Sequence, residues 1–246
     1  MRMRRFGHTV PSPLTFARIA AESGVPVDTT MVHLAYAAFP VTKVKKENVP
    51  GALFRALMSD APALFFQGLE MLGINLFPEV SRLKGIPQPR SHCGLDVFDH
   101  TMKVIENTPR EIILRWTAMC HDLGKGLTPR SQWPHFIGHD RLGAVEAAKL
   151  ARRLGVPKDI AAAGVLAANA HIVSLSATTL RPCTLVRLVR RLEEEFPGGV
   201  KYFCQFLLAD GGSRKTAEYL CKAAEAMESQ KYETACHEIA ALHDAK

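Results

Sequence analysis

Hydrophobic positions recur along this chain every three or four residues, which is the spacing of one face of an α-helix. Between Pro62 and the stop signal Gly73, for example, Phe65, Leu69 and Leu72 lie on one such face. The same pattern predicts further helices over residues 97–107, 110–120, 141–154, 157–170, 182–192, 200–210 and 217–243. Alternating strand patterns are hard to find, and no Asn-Gly or Asp-Gly turn separates two β-branched runs. The pattern therefore predicts an all-α fold.

One stretch between the helical patterns has a different composition. Residues 84–90, with the sequence KGIPQPR, contain two prolines and few apolar side chains. Such a stretch is typical of a connection between domains. We therefore expect an N-terminal helical part to end there and a second part to begin.

The composition is that of an ordinary globular chain. Of the 246 residues, 47% are hydrophobic and 22% are charged, which excludes a disordered or collagen-like chain. No apolar run approaches the ~20 residues of a membrane span, and the basic N-terminus has no apolar segment behind it, so it is not a secretory signal. The six cysteines form no CxxC pair, which favours free thiols and a cytoplasmic location over a disulfide framework.

The net charge of +7 is concentrated towards the N-terminus. Residues 1–90 contain 11 Lys and Arg against 6 Asp and Glu, whereas residues 91–212 contain 15 against 12. A basic region attracts the phosphate backbone of nucleic acids. A solvated surface that keeps the chain soluble explains the same charge, so both interpretations stay open.

Residues that can bind a metal or a phosphate are densest in the segment AMCHDLGKG, residues 118–126. His121 and Asp122 are adjacent there, at the end of a helical pattern that Gly124 stops. An aspartate near a helix C-terminus faces the negative end of the helix dipole, which costs roughly 0.3–1 kcal/mol. We expect a positive group, either Lys125 or a metal ion, to offset that cost.

Two further residues can join this pair. His100 lies on the preceding helical pattern, and the short link at Thr108 and Pro109 allows the two helices to run antiparallel. Asp210 ends a later apolar helix, beside another helix stop. Two imidazoles and two carboxylates suit Mg, Mn, Fe, Co or Ni better than a closed structural zinc site with thiolates. Open positions on such a metal could activate water and orient a phosphate.

The order of these residues resembles the H…HD…D signature of the HD superfamily of metal-dependent phosphohydrolases. The surrounding sequence is more specific, because CHDLGKGLTPRSQWPHFIGHDRLGA (120–144) is similar to the HD region of bacterial CCA-adding tRNA nucleotidyltransferases. The segments PALFFQGLEMLGINLFPEV (62–80) and LRPCTLVRLVRRL (180–192) also resemble that family. The resemblance covers residues ~14–212 in the family's order.

The resemblance implies an all-α architecture in which residues 1–88 match the neck and body and 89–212 the HD domain, followed by an unmatched helical segment, 213–246. It implies phosphatase, 2′,3′-cyclic phosphodiesterase or 2′-nucleotidase activity on a phosphate ester or nucleotide. By motif position, the metal ligands would be His100, His121, Asp122 and Asp210. Lys125 would contact or neutralise the phosphate, while His139 and His171 would serve a second metal or the phosphate. With Asp122, these three residues form the expected catalytic set.

Two departures limit what the resemblance implies. The family's nucleotidyltransferase head, with its glycine-containing loop and paired carboxylates, has no counterpart here, so we expect no nucleotidyl transfer from this chain alone. The chain would be either a fragment or a naturally headless relative. Ile172 follows His171 where some relatives carry an aspartate, which weakens the case for a complete second metal site.

A binding function is the alternative to an enzyme. Arg187, Arg190 and Arg191 are spaced so that they share one helical face, which could contact an RNA backbone, although Glu193–Glu195 could equally balance it as a solvated face. In this interpretation the chain binds tRNA or another RNA. A separately encoded nucleotidyltransferase head is a further possible partner. Metal identity, substrate and oligomeric state are left open by the sequence.

Overall fold

The computed structural model describes residues 11–38, 45–89 and 94–228 of the chain. Within these ranges all regular secondary structure is helical, apart from one antiparallel bridge between Pro87 and Asp96. The predicted all-α fold is therefore confirmed. The chain divides into two compact units, Met1–Pro78 and Glu79–Lys246. The division into 1–88, 89–212 and 213–246 stays a prediction.

The described residues of the first unit form four α-helices. They are α1 (Pro13–Ser23), α2 (Thr29–Ala38), α3 (Val49–Leu57) and α4 (Ala63–Met71), with a 3₁₀ turn at Lys46–Asn48. Helix α1 begins where the Ser12 hydroxyl accepts a hydrogen bond from the Thr15 amide, and it ends at Gly24 in the left-handed conformation. Helices α1 and α4 approach closely because Gly68 has no side chain, since a Cβ there would lie 3.3 Å from the Ala17 Cα.

The second unit contains the candidate site. Helix α5 (Pro78–Ser81) lies at the border, and the unit continues with α6 (Val97–Asn107), α7 (Ile112–Cys120), α8 (His139–Leu154), α9 (Lys158–Leu175), α10 (Pro182–Glu195), α11 (Gly199–Ala209) and α12 (Arg214–Glu228). Among the described residues of this unit, 3₁₀ turns lie at Leu123–Leu127, Arg130–Gln132 and Ala177–Thr179. The largest fully buried side chains of this unit include Trp116, Phe203 and Phe206.

Glycines allow α9 to pack closely against its neighbours. A Cβ at Gly164 would lie 2.5 Å from the Trp116 Nε1 of α7, and one at Gly143 of α8 would lie 3.3 Å from the Ala168 Cβ of α9. Because the backbones approach so closely, the ends of these helices are held in a defined place. Among the residues that the structure describes, no helix is both long and apolar enough to span a membrane.

The helices differ from their predicted ranges in places. Helices α2 and α3 were not among the predicted ranges, and α9 continues five residues past the predicted end at residue 170. That extension matters because it includes His171. The predicted helix 217–243 corresponds to α12 as far as Glu228, and its remainder lies outside the described residues.

Candidate metal centre

Seven side chains converge in the second unit from five different parts of the chain. Six of them are more than nine-tenths buried, although all are polar or charged. They are His100 on α6, His121 and Asp122 after α7, Lys125 in the following 3₁₀ turn, His139 at the start of α8, His171 on α9 and Asp210 directly after α11. The structure therefore brings together every residue that the sequence assigned to the metal and the phosphate.

Two groups of side chains could each hold a metal ion, and the first ligand group of this kind consists of His100, His121 and Asp210. The Asp210 Oδ1 lies 3.1 Å from the His100 Nε2 and 3.3 Å from the His121 Nε2. The His121 Nε2 is also 3.1 Å from the Oδ2 of Asp122. All candidate donor atoms of this group lie within 4.8 Å of one another, so one metal ion could contact all of them.

The second ligand group consists of Asp122, His139 and His171. The Asp122 Oδ1 lies 3.7 Å from the His139 Nε2 and 3.5 Å from the His171 Nε2. Asp122 therefore faces one group with Oδ2 and the other with Oδ1. A carboxylate in this position can serve both groups.

Backbone carbonyls fix the orientation of three imidazoles. The Nδ1 atoms of His121, His139 and His171 lie 2.6, 2.7 and 3.0 Å from carbonyl oxygens, those of Ala118, Phe136 and Ala167 in turn. A carbonyl only accepts hydrogen bonds, so each Nδ1 carries the proton and donates it. In the neutral ring the Nε2 then presents a lone pair to the site, as in metal-binding histidines whose other nitrogen is held by the protein.

These side chains suit a divalent cation. The Nε2 atoms of His121, His139 and His171 and both Asp122 oxygens are buried, and none has a hydrogen bond of good geometry within the described part of the chain. When the rings are neutral, their Nε2 lone pairs face the Asp122 oxygens at 3.1–3.7 Å and repel them, so a positive charge between them, a proton or a metal ion, is favoured. Imidazole nitrogens and carboxylate oxygens are both donors that divalent metals bind in proteins.

The carboxylates set the electrostatics of the site. Burial lowers the pKa of the His121 imidazole, but Asp122 and Asp210 raise it more, to about 10. Burial raises the pKa of the Asp122 carboxyl, but His121 and Lys125 lower it more, so that it lies well below its ordinary value. At His139 burial dominates over Asp122 and lowers the pKa. Burial raises the pKa of the Asp210 carboxyl too, but His121 and His100 lower it more. Both carboxylates are thus held ionised in a buried place, where they attract positive charge.

Lys125 lies at the edge of this arrangement. Its Nζ is 2.7 Å from the Asp122 Oδ2 and donates a hydrogen bond of 2.9 Å to the Gln88 Oε1. The same ammonium lies 5.2 Å from the centre of the Phe136 ring, which adds a cation–π contact. The expectation that Lys125 offsets the charge of Asp122 therefore has a structural basis.

Comparison with known proteins identifies this part of the chain. Residues 95–193 match the family model of the HD domain. The second unit contains this HD-domain match. Asp210 follows the matched range. The range includes the other candidate ligands, which are His100, His121, Asp122, His139 and His171.

The chain is also similar to three curated relatives named multifunctional CCA protein. It is 39% identical over 153 residues to that of Nitrosococcus oceani, 38% over 145 residues to that of Alcanivorax borkumensis and 36% over 165 residues to that of Actinobacillus pleuropneumoniae. These matches cover 60%, 56% and 63% of this chain. They span only 38%, 35% and 40% of the relatives. The resemblance found in the sequence is confirmed.

The predicted RNA-contacting arginines lie elsewhere in the HD domain, on α10. Arg187 and Arg190 are exposed, and the Arg187 Nε donates to the Cys183 carbonyl oxygen at 3.2 Å. Arg191 donates to Asn169 Oδ1 at 2.6 Å and to the Glu195 carboxylate. Contact of these residues with RNA stays a prediction.

Sequence reasoning missed two residues that support the site of the HD domain. Gln88 belongs to the stretch that the sequence interprets as a boundary, where no motif marks it. Phe136 supplies the carbonyl that holds His139, and it does so with a φ of 49°, in the left-handed region that bulky residues rarely adopt. The spacing of hydrophobic residues predicts neither the contact of Gln88 with Lys125 nor the role of the Phe136 carbonyl.

Proposed function

We propose that this chain is a metal-dependent phosphohydrolase of the HD type. The observation that carries the proposal is the position of Asp122 between the two ligand groups, with one oxygen towards each. The imidazoles of His121, His139 and His171 all aim Nε2 at this carboxylate, and backbone carbonyls hold them there. The proposed metal ligands are His100, His121, Asp122 and Asp210, and the ion is Mg, Mn, Ni, Co or Fe.

The chemistry follows from the residues around the ligands. A divalent ion at this place supplies Lewis-acid polarisation of phosphoryl oxygens and lowers the pKa of water. Lys125 neutralises charge that develops on the phosphoryl group, since its ammonium is buried beside Asp122. His139 and His171 either complete a second ligand set with Asp122 or, when Nε2 is protonated, donate to the phosphate. The lowered pKa of His139 favours the neutral ring, whose Nε2 lone pair suits the ligand role.

The proposed substrates are phosphomonoesters and 2′,3′-cyclic phosphodiesters of nucleotides or RNA ends. The similarity to multifunctional CCA proteins, together with the resemblance to tRNA nucleotidyltransferases, favours a substrate derived from RNA. The same similarity supports the second candidate function, a module that binds tRNA without hydrolysing it.

A hydrolysis panel tests the proposal. Protein treated with a chelator is supplied with each of Mg²⁺, Mn²⁺, Co²⁺, Ni²⁺ and Fe²⁺, and hydrolysis of p-nitrophenyl phosphate and of 2′,3′-cyclic AMP is measured. At least one ion restores hydrolysis, and Asp122→Asn abolishes it while far-ultraviolet circular dichroism stays unchanged. The control is Asp159→Asn, the same change at an exposed position of α9, which retains activity.

Two outcomes would contradict the proposal. Hydrolysis by Asp122→Asn at the parent rate would show that the ligand groups are not the catalytic centre. The absence of hydrolysis with every ion, combined with tRNA binding that weakens steeply as salt rises, would favour the binding module. If Asp122→Asn does not fold, His171→Gln serves as the second variant, because it removes one ligand and leaves every charge in place.

A further inference from the structure

Gln88 is fixed next to the site although it lies outside the matched HD range. The segment before α6 is pinned to the start of that helix, since the Val97 amide donates to the Ile86 carbonyl oxygen at 3.0 Å. Asp96 accepts hydrogen bonds from the Gly85 and Asp99 amides at 2.6 and 2.7 Å, which ties the same segment to the helix cap. The position of Gln88 relative to α6, and hence to His100, is therefore well determined.

Lys125 determines which way the Gln88 amide faces. An ammonium has only donors, so the atom that it contacts at 2.9 Å is the carbonyl oxygen of the amide. The amide nitrogen consequently faces away from Lys125. The Gln88 Nε2 is buried and has no hydrogen-bond partner among the residues that the structure describes, and the whole residue is 9% exposed.

A buried amide nitrogen without an acceptor is costly, and its chemistry limits what can satisfy it. The nitrogen cannot ligate a metal, and the oxygen is already used by Lys125. It therefore needs an acceptor oxygen, and the site around Asp122 is the one that the proposed function assigns to a phosphate. Lys125 itself has three protons, two of which face Gln88 and Asp122. Its contacts place the Gln88 amide beside the site, where an anionic group could accept hydrogen bonds from both side chains.

We propose that Gln88 is a substrate-binding residue whose Nε2 donates a hydrogen bond to a non-bridging phosphoryl oxygen. This inference rests on the proposed function, because that function places a phosphate at the site. It assigns the phosphate a second donor besides Lys125, from a residue in the segment before the HD domain.

The replacement Gln88→Glu separates this role from mere support of Lys125. A glutamate still offers Lys125 an acceptor oxygen of the same reach, but it places an oxygen where the donor was. Binding of inorganic phosphate to the metal-loaded protein is measured by calorimetry. We expect about 10- to 100-fold weaker binding, the range of a hydrogen bond to a charged group. Metal affinity measured without phosphate does not fall, and KM for an ester substrate rises more than kcat changes.

Two further variants complete the design. Gln88→Met removes the donor without adding charge, but it also removes the oxygen that accepts from Lys125. It weakens phosphate binding too, and it replaces Gln88→Glu if that variant does not fold, with unchanged metal affinity showing that Lys125 and Asp122 have kept their places. Gln205→Glu makes the same chemical change on α11, in a residue that is partly exposed, and it leaves phosphate affinity unchanged.

Parent affinity for phosphate in both Gln88 variants would overturn the inference, as would a metal-loaded parent that binds no phosphate. Failure of the proposed function gives a different result. A protein that hydrolyses no ester but loses phosphate affinity on Gln88→Glu has the phosphate site without the activity. If hydrolysis depends on Asp122 but the Gln88 replacements change neither phosphate affinity nor KM, the protein has the proposed activity and Gln88 is not a phosphate donor.

Discussion

The replacement Gly124→Ala perturbs the point where the loop after α7 meets α8. Gly124 follows Asp122 by two residues, in the 3₁₀ turn that also contains Lys125. A Cβ at Gly124 would lie 2.5 Å from the Gly143 amide nitrogen and 2.8 Å from the His139 carbonyl carbon, and closer still to the His139 carbonyl oxygen. All three are backbone atoms, which cannot rotate away as a side chain can.

The distances set the size of the effect. Ordinary van der Waals contact begins at 3.4 Å, so the turn must move away from α8 by at least about 1 Å. Overpacking of this kind costs about 1–3 kcal/mol, and we expect the upper end because only backbone is available to move. For a chain of this length, about 3 kcal/mol lowers Tm by roughly 6–12 °C. The movement also separates Asp122 from His139, so metal affinity falls by roughly 10–100-fold, as it does when the support of a ligand is lost.

Gly155→Ala is the matched control for this experiment. Gly155 ends α8 with a φ of 63°, and a Cβ there would meet nothing within 4 Å. The alanine therefore costs only the left-handed strain, about 1–2 kcal/mol, at the far end of the helix from His139, roughly 24 Å along the axis. Urea unfolding and calorimetric metal titration should show modest destabilisation with parent metal affinity. A Gly124→Ala protein as stable as the parent, with the same metal affinity, would refute the reasoning.

Two further predictions concern packing and thiol chemistry. Gly164→Ala places a Cβ 2.5 Å from the Trp116 Nε1, so it lowers the free energy of unfolding by about 1–3 kcal/mol, and an unchanged urea midpoint would contradict the close packing of α7 and α9. Burial raises the thiol pKa of Cys120 and Cys204, whereas Cys183 is exposed. Mass mapping after brief treatment of the native protein with iodoacetamide should find Cys183 labelled and the two buried thiols intact, and early labelling of Cys120 would contradict its burial.

The sequence predicted the fold and the identity of the site residues more fully than their geometry. Helical spacing predicted α6, α7 and α10 well, because each has one apolar face against the core. It did not single out α2 and α3, although α3 is as long as α7. The first turn of α3 contains Pro50 and Gly51, which in a sequence usually mark a turn. Spacing also stopped α9 before His171, because that helix is apolar almost all round and so has no clear face.

The arrangement within the site depends on contacts that no local pattern encodes. The two oxygens of Asp122 face different ligand groups. This arrangement depends on where α8 and α9 place their histidines, which no local sequence pattern determines. The role of Phe136 depends on a left-handed backbone conformation at a bulky residue, which the structure around it must impose. Gln88 approaches Lys125 only because its segment pairs with the start of α6.

Metal titration of the chelator-treated protein tests the central claim most directly. Isothermal calorimetry with Mn²⁺ is carried out on the parent, on Asp122→Asn and on the exposed control Asp159→Asn. The account predicts at least one ion bound per chain by the parent and the control, and an affinity reduced at least about tenfold in Asp122→Asn, which loses a charged ligand. Equal binding by the parent and Asp122→Asn, or no binding of Mn²⁺, Mg²⁺, Co²⁺, Ni²⁺ or Fe²⁺ by the parent, would contradict it.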